Sequence, residues 1–410
     1  MSKRKLLYLT TTATLAIALS SLSTMACKKM TNISVNKPWF TEENSEFFSF
    51  VFNDYNNKIA ELIKEINEKL ALTNDVEKKN ELKSQIKQLN KSYKKNIAVK
   101  FEPDNANIGK EMLKGNSDFG VLTTTLFNSR NYKKDLTPII QTLTRGFKFD
   151  LNNFQAKYQD GKNDQLINIA KTAEAEFLQK PYNLWEKNEY GWNGIIYEKF
   201  YANKNENVDY YRGLIMIQGT DLELKEIKEA WENKNWNKFR DFGIIIGNKG
   251  SGSKYIAQEA LFKKHFNLEG NKFESFDKDR LKHGEKYISG KARDIAKGAY
   301  KKYHIVFDEL GSFAYTFNEK HGKKTKYYTP EDANVKINFL TVTEAIKYNV
   351  FVTSNKTFNK TQRDLLAKAF FEIWKNGKDS YGPSVGFNGY KIITNFEKEV
   401  IEPYENLFKI

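Results

Sequence analysis

The chain has 410 residues and a net charge of +15, from 66 lysines and arginines against 51 aspartates and glutamates. Its 30 Phe, 22 Tyr and 6 Trp with only 7 Pro exclude a disordered polypeptide, and its single cysteine excludes an intrachain disulfide framework. The lysines are scattered along the chain rather than blocked together, so the charge reads first as solvated surface; a face this basic also suits nucleic acid, anionic lipid or an anionic solute, nucleic acid least of these, and charge alone does not decide.

At the start, Lys3, Arg4 and Lys5 precede a mostly apolar run from Leu6 to Leu22, and Thr24, Met25 and Ala26 lead to Cys27. This is the layout of a bacterial secretory signal, residues 1–26, cut before a cysteine that is then acylated. Lipidation at Cys27 would hold a soluble domain on the extracellular face of the cell membrane, since each buried methylene contributes about 0.8 kcal/mol. The competing reading is an uncleaved membrane helix, because the run approaches the minimum of roughly 17 residues.

A short strand is predicted over Asn32–Val35, followed by Pro38 and Trp39. From residue 44 to 95 apolar residues recur at helical spacing (Phe47, Val51, Ile59, Leu62, Ile66, Leu70), with a break and N-cap at Thr73, Asn74 and Asp75. The narrow stripe of the second helix (Leu82, Ile86, Leu89) predicts a helical hairpin lying on the surface. Strands follow at 97–101, 118–122 and 137–143, then an aromatic segment over 147–209. Further strands are predicted at 214–217, 242–246, 303–307, 338–342 and 350–352, with helices near 224–231, 255 onward, 360–374 and 396–408. Strands alternating with helices imply a largely parallel α/β architecture.

The sharpest local signal lies at 243–258. A buried strand runs into Gly247, Gly250, Ser251, Gly252 and Ser253, and a helix opens. Such a helix start presents unpaired N–H groups and a partial positive charge, and so suits an anion. The plainer alternative is that Ser251 or Ser253 simply caps the helix. Two other strand ends lead to hydroxyl-rich turns, Thr123–Thr124–Thr125 and Ser312 to Thr316. Ligands of open α/β sheets sit beyond the carboxyl ends of strands. The four histidines (His265, His283, His304, His321) have no metal-like spacing, and no GxSxG elbow is present. No catalytic residue, metal or cofactor is therefore expected, and the sequence argues for binding rather than turnover.

The stretch Glu229–Gly243 (EAWENKNWNKFRDFG) resembles the mycoplasma high-affinity transport system lipoproteins, also called extracytoplasmic thiamine-binding lipoproteins. So do Trp192–Gly194, Tyr211–Gly213, Gly311–Ala314, Tyr381–Pro383, Gly386–Lys391 and the end through Tyr404, in order from about residue 31 to 410. The resemblance implies a two-lobed type 2 periplasmic-binding-protein fold, similar to phosphonate-binding proteins, with a ligand cleft between the lobes. Lobe one would hold residues 27–143, with the helical insertion, and 348–410, and lobe two residues 144–347, hinged near 143 and 347.

The implied ligand is thiamine pyrophosphate or thiamine. Its phosphates would meet Gly250, Ser251, Gly252, Ser253, Thr123, Thr124, Thr125 and Ser312, and its rings Trp39, Phe313 and Tyr315, through stacking and cation–π contacts of about 0.5–2 kcal/mol each. A monomer is expected, working with an ABC permease and ATPase. Two alternatives stay open: a receptor for another phosphorylated or phosphonate solute, and a basic surface adhesin or nucleic-acid-binding lipoprotein.

Overall fold

The computed structural model describes residues 30–39, 42–270, 272–318 and 326–409. The signal segment, Cys27 and His321 lie outside them. Among the described residues no helix is long and apolar enough to cross a membrane, and no group of three His, Cys, Asp or Glu is placed to hold a metal ion.

The chain begins with β1 (Thr31–Asn36) and then forms the hairpin of α1 (Glu46–Leu72) and α2 (Val76–Asn90). Strands β2 (Ile97–Glu102), β3 (Phe119–Leu122) and β4 (Leu136–Arg145) complete the first pass through one sheet. The chain then enters a second sheet through β5 (Gly213–Gly219), β6 (Ile244–Ile246), β7 (Tyr287–Ser289), β8 (Ile305–Glu309) and β9 (Lys336–Val342). It returns to the first through β10 (Val350–Ser354) and β11 (Gly389–Ile392). The first sheet has the order β11-β4-β10-β3-β1-β2, with Asn207–Val208 pairing on β4, and the second the order β9-β5-β8-β6-β7. This is the mixed α/β, two-lobed architecture expected from the sequence. Each sheet combines parallel pairs with antiparallel ones, whereas the simple alternation of strands and helices implied mostly parallel pairing.

The two passages between sheets run side by side. Tyr210–Tyr211 pairs antiparallel with Ile346–Lys347, and Lys347 forms a 2.7 Å ion pair with Asp209. Buried in the second lobe beside them, Arg212 donates to Asp150 at 3.0 Å and to the carbonyls of Thr343 (3.0 Å) and Asn153. Burial pushes the Asp150 carboxyl up, against the pull of Arg212.

The first turns of α1 bury Phe47, Phe48, Val51, Phe52, Tyr55 and Ile59 against the first sheet. Farther out the helix is mostly exposed, and α2, N-capped by the Asp75 side chain, buries only Leu82 and Leu89. The hairpin therefore lies on the surface, as its narrow apolar stripe predicts. At the other end of the chain Glu402–Leu407 packs on helix Ala257–His265 of the second lobe, on the Ile346–Lys347 passage, and on Thr124–Ser129 of the first lobe.

Candidate functional site

Between the sheets lies a cavity of about 350 Å³, at the small end of the roughly 300–1,000 Å³ common for small-molecule sites. The first lobe contributes Asn36, Lys37, Trp39, Asn105 and Gly386, the second Trp192, Tyr201, Glu309 and Tyr315. Arg145, Tyr348 and Asn349, from the passages between the lobes, close the back.

One wall is aromatic and is shared by both lobes. Trp39, held by a 2.9 Å hydrogen bond from its N–H to the Ser384 carbonyl, meets Trp192 edge-on at 5.6 Å between ring centroids. Trp192 in turn lies 6.0 Å from Tyr315 and 6.2 Å from Tyr197. Gly386, in the left-handed conformation at φ +84°, sits beneath both indoles; a side chain there would be strained by its backbone and would stand against them. Trp192 is buried, whereas Trp39 keeps 44% of its surface exposed, so one ring is fixed and the other reachable. Arg145 lies with its guanidinium carbon 5.2 Å from the Tyr197 ring centre, and its Nε donates to the Ala202 carbonyl at 2.8 Å.

The cavity carries charge of both signs. Lys37 and Arg145 are basic, and Asn105 opens the helix Asn105–Lys114, whose start is capped by Asp104. Glu309, at the carboxyl end of β8, is acidic. Burial pushes its carboxyl up to about 7, against Lys254 and with Asp308. It is half-buried and lines the cavity.

Of the sequence-predicted residues, Trp39 and Tyr315 face this cavity. Phe313 does not: it is fully buried and packs on Phe149, Phe177, Phe200 and Phe339, which corrects its expected ring-binding role. Residues two apart on a helix differ by about 200° in direction, so Ser312–Thr316 can show only one of its two aromatics to the cavity. Ser312 is buried with its hydroxyl 3.4 Å from that of Tyr328.

The glycine–serine loop and the threonine turn come together beside the cavity rather than in its lining. A Cβ on Gly252 would stand 2.2 Å from the Tyr211 hydroxyl and 3.0 Å from Thr125 Oγ1. The hydroxyls there are engaged within the protein. Thr123 accepts from the Leu126 N–H, Thr124 donates to the Lys347 carbonyl, Thr125 bonds Thr123, and Ser253 hydrogen-bonds Glu309. Ser251 accepts from the Lys254 N–H as an N-cap, and Gly250 is exposed. The helix opens at Gly252 with a single π turn, three residues before the position predicted. Ser251→Ala should therefore lower stability by about 1 kcal/mol, read as a lower urea midpoint with an unchanged slope.

Sequence reasoning missed Lys37, Arg145, Tyr348 and Glu309. The available signal for Glu309 was a pair of acids, Asp308 and Glu309, ending an apolar strand just before Gly311. Trp192 lies in one of the family-like motifs, and only the fold shows that it meets Trp39.

The family described as extracytoplasmic thiamine-binding lipoprotein matches residues 40–408. The high affinity transport system protein p37 of Mesomycoplasma hyorhinis is 38% identical over 274 residues, 67% of this chain and 65% of that protein, so the match spans just under two thirds of the relative's length. The protein of the same name from Mycoplasma pneumoniae is 33% identical over 291 residues, covering 67% of this chain and 73% of its own. Among solved structures, Mycoplasma hyorhinis Mh-p37, described as a candidate thiamine pyrophosphate transporter, superposes with a TM-score of 0.73 at 30% identity, over 93% of this chain and 99% of that one.

Proposed function

This chain belongs to the family of extracytoplasmic thiamine-binding lipoproteins, and on that premise we propose that it is the solute receptor of an ABC importer, capturing thiamine pyrophosphate or thiamine between its lobes. The anchor would be the acylated Cys27, and the partners a membrane permease and its ATPase. The extracytoplasmic, lipid-anchored location agrees with the family description, and binding without turnover agrees with relatives named as transport-system proteins.

The observation that carries the reading is the aromatic wall contributed by both lobes. A flat cationic heterocycle gains about 0.5–2 kcal/mol per ring face it meets, and a wall split between lobes can assemble fully only when they approach. Lys37 and Arg145 supply the positive charge that an anionic tail needs, with Asn105 at a helix start to donate hydrogen bonds. In this reading the phosphates meet these residues first. Gly250 to Ser253 and Thr123 to Thr125 then act as the contact that seats one lobe on the other, with Ser312 holding the helix that carries Tyr315.

Mass spectrometry of protein purified under native conditions tests the proposal directly. The expected result is an added mass matching thiamine or its pyrophosphate, displaced by excess of the same compound. A phosphonate or unrelated phosphorylated solute in its place, with no thermal stabilisation by thiamine pyrophosphate at saturation, would sink the thiamine reading.

A further inference from the structure

We propose that Glu309 is the counter-ion for a permanently cationic ring of the ligand, so that the receptor selects a charged heterocycle over a neutral ring of the same shape. The inference rests on the thiamine reading above and names the group that sets its specificity.

Three observations carry it. First, Glu309 shares the cavity with the aromatic wall. It lines the same space as Trp39, Trp192 and Tyr315, and its charge acts directly on Tyr201, Tyr211, Tyr315 and Tyr348 around it. Second, its charge is not balanced. Lys254, the cation that acts on it, is ion-paired at 2.8 Å with the neighbouring Asp308, and no lysine or arginine among the described residues forms an ion pair with Glu309. Two carboxylates thus share one ammonium. Third, the Ser253 hydroxyl, on a segment packed against Thr125 and Tyr211, hydrogen-bonds the carboxylate and holds it in place.

Enclosing an acid with insufficient positive charge is unfavourable, and burial raises its pKa accordingly. A cation arriving at the aromatic wall relieves that cost. A neutral ring of equal shape would keep the stacking contacts and lose the charge pairing. Because the ligand would favour the ionised acid, binding of the cation should strengthen as pH rises through about 7.

The test is isothermal titration of the wild-type protein and Glu309→Gln with two ligands. One is thiamine pyrophosphate; the other is its analogue in which the quaternary ring nitrogen is replaced by carbon. At pH 8 the wild type should prefer the cation by about tenfold or more. In Glu309→Gln the affinity for the cation should fall to that for the neutral analogue, while the analogue's own affinity stays within about threefold of wild type, which also shows that the variant is folded. In the wild type the preference for the cation should shrink between pH 8 and pH 6, and in the variant it should be flat. A preference that survives in Glu309→Gln, or a wild type that binds both ligands equally, overturns the role of Glu309 and leaves the thiamine reading standing. A wild type that binds neither overturns both.

Discussion

Arg212→Met is expected to destabilise the protein by about 3–5 kcal/mol, because it strips the partner from a buried carboxylate. Arg212 is fully buried and binds two separated pieces of chain: the 150–153 turn, through Asp150 at 3.0 Å and the Asn153 carbonyl, and the Thr343 carbonyl. The pair itself is weak evidence of net stability, since desolvating both charges costs nearly what their attraction returns. The asymmetry lies in breaking it. Combining Arg212→Met with Asp150→Leu should restore much of the loss, though not all, because the two carbonyls stay buried without their donor. Urea denaturation of the single and double variants decides the matter. A single variant within about 1 kcal/mol of wild type would mean that water reaches Asp150 freely.

The second large effect is on binding. Trp39→Ala should weaken thiamine pyrophosphate by roughly 10- to 100-fold, the range of a large aromatic contact at the centre of a site. Its folding stability should hardly change, since the indole is 44% exposed and meets Trp192 only edge-on. Trp192→Ala would confound the two, because that ring is buried in the second lobe's core. Calorimetric titration beside a thermal melt separates the cases. Unchanged affinity in Trp39→Ala would remove the shared aromatic wall from the binding account.

Local patterns that answer to one element were legible in the chain. The break at Asp75 is a side-chain cap, and the thin apolar stripe beyond it buries only Leu82 and Leu89. The strand entering Gly247 and the helix leaving Ser251 are both present. What could not be read was which elements face each other. Trp39 and Trp192 are distant in sequence, and Glu309 gains its meaning only from tyrosines contributed by three other segments. The glycine–serine loop misled for a related reason. A helix start rich in small residues suits an anion, but it equally suits a tight approach by a neighbouring strand end. Here Tyr211 and Thr125 occupy the space against Gly252. Phe313 and Tyr315 were equivalent in the sequence and are separated only by the direction each takes from one short helix.

The last helix adds a consequence for how the lobes can move. Asn128 donates to the Val400 carbonyl at 3.2 Å, while Tyr404 and Phe408 lie against the cluster of Tyr211, Ala257, Ala260 and Ile346. A rotation of one sheet against the other must therefore shear this brace as well as bend the two connecting strands. Side chains can slide by about a rotamer without unpacking, but a wide swing would expose the apolar underside of Leu407 to water. If the lobes close by rotation, this brace favours a narrow arc over a wide swing.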